Sequence, residues 1–234
     1  MGEAAEVWAG ADRAPVVLTC EHASQRLPDP WRWPAADLRL VGTHWAFDLG
    51  AAALTRDLAQ ALWAPAVLSR FTRLLVDANR DAHEESLVLS RAEGGPVALN
   101  AGMGPEDRAR RLEVYWDGYH RAVDGTVARA SGDVILSVHT FTPVYEGRCR
   151  ALEVGVLFDE EEALAARVAE AVGQVGFRVA LNEPYSGKEG LIYAADRHAR
   201  RHGRRALEIE MRQDLAVRPQ ARARLVDALR RALA

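Results

Sequence analysis

With 234 residues and 49% hydrophobic content, the chain can bury a full core and is expected to form one domain over residues 1–234, a length that single α/β domains commonly reach. A formal net charge of −3 argues against nucleic acid as the partner, because phosphate binding leaves a basic footprint, and no apolar run approaches the ~18 residues of a membrane span. Two cysteines are too few for a disulfide framework and the amino terminus has no basic region followed by an apolar stretch, so a cytoplasmic protein that binds neither nucleic acid nor membrane is expected.

The first dozen residues, MGEAAEVWAGAD, show no period and read as a loose lead-in. PVVLTC is the first expected strand. A loop with Pro28, Pro30 and Pro34 leads to a helix from about Leu49 to Trp63, where Leu54, Leu58 and Leu62 recur at helical spacing, and PAVLS reads as a second strand. The segment from Arg80 to Gly104 is aperiodic and glycine-bearing, a long loop of the kind that often carries function. From Pro105 to about Ala130 a long helix is expected, with Leu112, Trp116, Tyr119, Val123 and Val127 on one face and Pro105, Glu106 and Asp107 suited to its first turn.

The second half reads as strand DVILSVH, strand ALEVGVLF, a helix bearing Leu164, Val168 and Val172, strands FRVAL and RALEIEM, and a last helix with Leu225, Leu229 and Leu233. Interleaved strands and helices predict an α/β fold, a three-layer αβα sandwich with a mixed, mostly parallel sheet. DVILSVH and ALEVGVLF follow one another without a helix and suggest an antiparallel pair. The stretch DRHARRHGRR, with His198 and His202, reads as a solvated charged face, and His83 and His120 as structural.

Two apolar runs end at a histidine, PVVLTCEH at His22 and DVILSVHT at His139. Strands that stop at metal-capable side chains are how α/β enzymes present a site at the carboxyl edge of the sheet. Between them in sequence, Asp48 of THWAFDLG precedes the first helix, and two histidines with one carboxylate leave open the position that a catalytic zinc needs. An N-cap is the structural alternative for Asp48. In ALEIEM, Leu207, Ile209 and Met211 alternate with Glu208 and Glu210, so both acids share one face, which is either wet or part of a site. Cys20 reads as a small buried hydrophobe, and the glycines near residues 94–104 lack the pattern of a phosphate cradle.

In order along the chain, TCEHAS, THWAFDLGA, SRFTRLLVDANRD, YWDGYH, VHTFTP, LNEPYSG and LEIEMRQDL resemble the N-formylglutamate amidohydrolase family, from about Val16 to Leu215. That family is similar to zinc carboxypeptidases and aspartoacylase-like deacylases, so the resemblance implies a phosphorylase/hydrolase-like, zinc-exopeptidase-like αβα fold with one catalytic Zn2+ per chain. It implies His22 and His139 as ligands with Asp48 as the third, Glu21 and His44 remaining the alternatives, and Glu210 as general base. The DANR segment is similar to one whose arginine contacts a substrate carboxylate, which points to Arg80. Arg212 lies two residues beyond Glu210 and is the second candidate for a carboxylate, since a guanidinium meets a carboxylate with two parallel bonds. Asn79, Asn182 and Tyr185 are candidate amide and phenol donors to substrate. Where the family has Pro-His-Ala-Gly the chain has Glu21-His22-Ala23-Ser24, and where the family has Asp it has His44.

The resemblance implies hydrolysis of the N-acyl amide of an acidic amino acid, with N-formyl-L-glutamate giving formate and L-glutamate as the expected reaction. A deacylase or carboxypeptidase acting on another small acyl amino acid is the alternative within the class. A non-catalytic metal-binding protein and a non-haem iron oxygenase, which shares the two-histidine, one-carboxylate donor set, are the alternatives outside it.

Overall fold

The chain opens with β1 (Ala5–Trp8), β2 (Val16–Cys20), α1 (Ala51–Leu62) and β3 (Ala66–Ser69) in the computed structural model, which describes residues 3–11 and 13–233. The long loop after β3 carries a small hairpin, β4 (Arg91–Ala92) with β5 (Gly95–Pro96). Next come α2 (Pro105–Arg111), α3 (Asp117–Arg129), β6 (Val134–Phe141) and a second hairpin, β7 (Val144–Tyr145) with β8 (Arg148–Cys149). The chain finishes with β9 (Val154–Leu157), α4 (Glu162–Gln174), β10 (Val179–Leu181), α5 (Tyr193–His202), β11 (Arg205–Arg212), α6 (Gln213–Ala216) and α7 (Pro219–Leu233).

Seven strands form one sheet in the order β1-β3-β2-β6-β11-β9-β10. The pairs β3/β2, β2/β6, β6/β11 and β9/β10 are parallel, whereas β1/β3 and β11/β9 are antiparallel. One face of the sheet packs Leu18, Leu136, Val138, Leu207 and Ile209 against Leu54, Leu58, Leu164, Val168, Leu225 and Leu229 of α1, α4 and α7. The other packs Val17, Ile135 and Ala206 against Tyr119 and Val123 of α3 and Ala195 and Ala199 of α5. This is the three-layer mixed sandwich expected from the pattern. No described helix is long and apolar enough to cross a membrane.

Side chains alternate between faces along a strand, and that alternation creates the site. On the α3/α5 face, the apolar Val17, Ile135 and Ala206 give way toward the carboxyl ends to Thr19 and Glu21, Ser137 and His139, and Glu208 and Glu210. All six polar residues are buried. Three neighbouring strands therefore deliver their polar ends to one place.

Three expectations are corrected. The opening segment is not a loose lead-in: Ala5–Trp8 adds an antiparallel edge strand, with Ala5 opposite Ser69 and Trp8 opposite Ala66. DVILSVH and ALEVGVLF do not pair. The eight-residue β11, buried over most of its length, takes the place between them, with Glu210 opposite His139 on one side and Gly155 on the other. The long helix expected from Pro105 runs without a break to Arg129 as α2, a π-helical turn at Leu112–Trp116 and α3, with Trp116, Tyr119, Val123 and Val127 buried on the expected face and Tyr115 buried beside them. DRHARRHGRR is not simply a solvated face: most of it belongs to the amphipathic α5, which buries Ala194, Ala195, His198 and Ala199 and stacks Arg197 on Trp116, while Arg200 and Arg201 are exposed. His198 bridges His120 at 2.8 Å and Asp124 at 2.9 Å, and His202 reaches the same Asp124 oxygen at 2.9 Å, tying α5 to α3.

Candidate active site

His22 stands just past the end of β2, where its Nε2–H donates to Asp77 Oδ1 at 2.8 Å. That bond fixes the tautomer and leaves Nδ1 bare. This Nδ1 is buried, has no hydrogen-bond partner among the described residues and faces Asp48 Oδ2 at 3.5 Å. His139 Nδ1 lies 2.9 Å from the same Asp48 oxygen, and its Nε2 lies 2.9 Å from Glu21 Oε2. The two imidazoles meet edge to face with centroids 4.6 Å apart. His22, Asp48 and His139 thus form a buried group whose ligand atoms lie within 4.8 Å of one another.

The donor set fits a metal cation. A lone pair on His22 Nδ1 aimed at a carboxylate oxygen is two acceptors face to face, which is costly in a buried site unless a cation lies between them. The ring nitrogens that point away from Asp48 are both held by carboxylates, Asp77 for His22 and Glu21 for His139, which is how ligating histidines are usually oriented. Asp48 is not a helix cap: the residue before α1 is Gly50 at φ 91°, and the Asp48 carboxylate instead accepts the Thr140 N–H at 3.2 Å.

The outer carboxylates are themselves secured. Asp77 receives Arg73 through Nε at 3.0 Å and Nη2 at 2.7 Å, and its Oδ1 accepts the Asn79 N–H at 2.9 Å. Glu21 accepts Ser137 Oγ at 2.6 Å and the Tyr119 hydroxyl at 2.8 Å. Burial pushes Glu21 up, but hydrogen bonds from His139, Ser137 and Tyr119 bring it down to about 2. Asp77 is likewise held well below the usual carboxylate range, with Arg73 and His22 overcoming burial, and Asp48 is held below it by the two histidines.

Glu208 and Glu210 behave in the opposite way. Burial, reinforced by Glu21 and Asp48, lifts Glu208 to about 7 against the pull of His139. Burial, reinforced by Glu208 and Asp48, lifts Glu210 well above the usual range. Each has an Oε2 atom that is buried without a hydrogen-bond partner among the described residues. Carboxylates whose surroundings push their affinities for protons apart are the arrangement that divides acid–base work from charge stabilisation. His139 is raised well above the ordinary histidine value because Glu208, Asp48 and Glu21 outweigh burial. Cys20 is raised to about 12 by burial, so its thiol is inert.

A cavity of about 300 Å³ opens onto this group. His22, Asp48, His139, Glu208 and Glu210 form its floor, and Arg73, Asn79, Arg80, His44, Trp45, Leu89, Phe141, Tyr145, Tyr185 and Leu191 are among its walls. Among the residues expected from sequence, His22, Asp48, His139, Glu210, Arg80, Asn79 and Tyr185 come together here. Glu21 sits behind His139 and not beside the His22 and Asp48 ligand atoms. His44 is a half-buried wall residue with its ring against Trp45 at 4.8 Å, its basicity lowered by burial and by Arg73.

Two expected substrate contacts lie outside the cavity walls. Arg212 donates to Asp214 at 2.7 Å and to the carbonyls of Arg150 and Leu152 at 3.0 and 3.2 Å, so its fork is already filled. Asn182, at φ 52°, accepts the N–H groups of Phe158 and Gly187 with its side-chain oxygen and shapes its own loop. Asn79 is at the wall but spends its amide on the Leu191 carbonyl and the Ala194 N–H. Asp77 and Arg73 were not among the expected site residues, although Asp77 opens the DANR segment and Arg73 precedes it by four.

The sequence model of the N-formylglutamate amidohydrolase family matches residues 14–217. An N-formylglutamate deformylase of Pseudomonas aeruginosa is 27% identical over 198 residues, covering 75% of this chain and 73% of that protein. A gene product of Agrobacterium tumefaciens of known structure superposes with a TM-score of 0.91 at 29% identity, over 99% of this chain and 94% of that one. An N-formylglutamate amidohydrolase of Ralstonia eutropha superposes with a TM-score of 0.72 at 19% identity, over 98% and 95% of the two chains, a likeness of fold.

Proposed function

The chain belongs to the N-formylglutamate amidohydrolase family, enzymes that hydrolyse amide bonds, and from that membership we propose that it is a zinc-dependent amidohydrolase converting N-formyl-L-glutamate and water to formate and L-glutamate. The observation that carries the metal dependence is the bare, buried His22 Nδ1 facing Asp48 Oδ2. His22 and His139 would hold the ion through Nδ1 and Asp48 through a carboxylate oxygen, with the cavity side left open. A zinc ion so bound would polarise the acyl carbonyl and bring the pKa of its water down to about 7.

The chain's own residues supply the rest. Glu210, opposite His139 across the β6/β11 pair, takes the proton from the attacking water and returns it to the departing amine. Burial raises its affinity for protons, which favours its holding the proton until the amine departs. Asp77 and Glu21 hold the two imidazoles in register. Arg80, whose guanidinium reaches the cavity wall with one contact to the Asn79 carbonyl at 2.8 Å, holds a substrate carboxylate so that the acyl carbon lies over the floor. Tyr185 offers a phenol at the same wall. A cavity of about 300 Å³ supports a small acylated amino acid as substrate.

The test is a kinetic screen of N-formyl, N-acetyl and N-succinyl amino acids, before and after chelation. N-formylglutamate is expected to give the highest kcat/KM, with activity lost on chelation and restored by zinc. Faster turnover of acetyl or succinyl substrates would overturn the formyl assignment, and activity that survives complete metal removal would overturn the zinc assignment.

A further inference from the structure

N-formylglutamate carries two carboxylates, and Arg80 answers one of them. Arg73 is committed to Asp77, and Arg212 to Asp214 and backbone carbonyls. A third guanidinium behaves differently. Arg150 follows the β7/β8 hairpin, and its charge centre lies 4.7 Å from the ring centroid of Tyr145 and 5.5 Å from those of Phe141 and Tyr185. All three rings line the cavity. Its Nη1 is buried and has no hydrogen-bond partner among the described residues.

We propose that Arg150 is a specificity-determining residue that reads the side-chain carboxylate of the substrate; this rests on the functional reading above and adds to it the acidic side chain. Aromatic faces attract the guanidinium through their π-systems, and although the Tyr185 hydroxyl engages it by a hydrogen bond, Nη1 remains free to donate. A buried donor without an acceptor is costly, and a carboxylate is the acceptor that meets it with a charge-assisted bond. Tyr145 and Tyr185 line the cavity, pack against this guanidinium and are 46% and 36% exposed, so both rings have room to move as a carboxylate enters.

The backbone of Arg150 is fixed for this task. Its N–H donates to the Pro143 carbonyl at 2.8 Å, closing the base of the hairpin, and its carbonyl accepts Arg212 Nη1 at 3.0 Å. Arg212 therefore acts as a positioning residue for the segment that carries Arg150. The charge also reaches the site itself, since it opposes the protonation of His44 and favours ionisation of Tyr185 on the cavity wall.

The experiment compares wild type, Arg150→Met and Arg150→Lys in two measurements on the whole chain: kcat/KM for N-formyl-L-glutamate against N-formyl-L-glutamine, and calorimetric binding of L-glutamate against L-glutamine. Arg150→Met is expected to lower kcat/KM for the acid by about 10–100-fold, mainly through KM, the range of a lost charged hydrogen bond, and to leave the amide little changed. Arg150→Lys is expected to recover part of the loss. Equal losses on acid and amide, or no loss on either, would overturn the proposal while leaving the hydrolase reading intact. A wild type that hydrolyses neither compound would sink the N-formylglutamate reading; the binding arm still decides on Arg150, through a preference for glutamate over glutamine that the Met variant abolishes or keeps.

Discussion

His22 and Asp77 share a buried hydrogen bond of 2.8 Å, and because Asp77 is anchored in turn by Arg73, the imidazole has one orientation and one free nitrogen. Asp77→Asn keeps the shape of the side chain but removes the charge that fixes the His22 tautomer. Outer-sphere partners of this kind are worth roughly 10–100-fold in metal affinity. Competition with a chelator of known affinity is expected to show zinc binding weakened to that degree, and an unchanged dissociation constant would return Asp77 to a purely structural role.

One zinc per chain is expected, with ligands His22, Asp48 and His139. Alanine at any of the three should reduce bound zinc, measured by elemental analysis, far below one equivalent. His44→Ala should retain it, because His44 is half-buried at the wall and lies outside the group of converging ligand atoms. Full zinc retention by Asp48→Ala would remove Asp48 from the metal.

Glu210→Gln preserves size while abolishing the ability to accept a proton. General-base catalysis typically contributes about 10²–10⁴-fold, so kcat should fall by that order with zinc content unchanged. A near-normal kcat would transfer the proton to another group, Glu208 being the neighbour on the same face.

Arg80→Lys retains positive charge and loses the fork that meets a carboxylate with two bonds. Activity on N-formylglutamate is expected to fall more than activity on the corresponding α-amide. The same acid-to-amide ratio in variant and wild type would make Arg80 a structural arginine.

His120 gives a prediction for pH-dependent stability away from the cavity. Burial, then the charges of His198 and Arg197, push it down to about 3 against the opposing pull of Glu21 and Asp124. The folded state therefore keeps it neutral, while the unfolded chain takes up a proton below its ordinary value near 6.5. Its stabilising contribution is present above about pH 6.5 and is lost as pH falls toward 3, at a limiting slope of ~1.4 kcal/mol per pH unit. Urea unfolding at pH 7.0, 5.5 and 4.5 should show a shallower decline for His120→Phe than for wild type. Parallel declines would mean that His120 is protonated in the folded protein as well.

Local patterns were enough to place much of this molecule. The apolar runs ending at His22 and His139, and the alternation that sets Glu208 and Glu210 on one face, are properties of consecutive residues, because a strand's period of two is carried by the chain itself. The αβα layering follows from the same kind of pattern. What could not be read locally depends on partners far along the chain. The Asp77 bond to His22 spans 55 positions and the Glu21 bond to His139 spans 118. Arg80 and Arg212 look alike as arginines in promising motifs, and only the fold fills one fork with Asp214 and carbonyls while leaving the other at the cavity. In the same way, a charged stretch became the helix that buries His198, and β11 came between two strands that are neighbours in sequence. The amino-acid order determined which side chains stand at strand ends and on which face, since backbone geometry enforces that residue by residue. The tertiary structure decided which nitrogen of each histidine is free, which acids lose their protons and which arginines remain unpaired, since those depend on burial and on charges that only folding brings within reach.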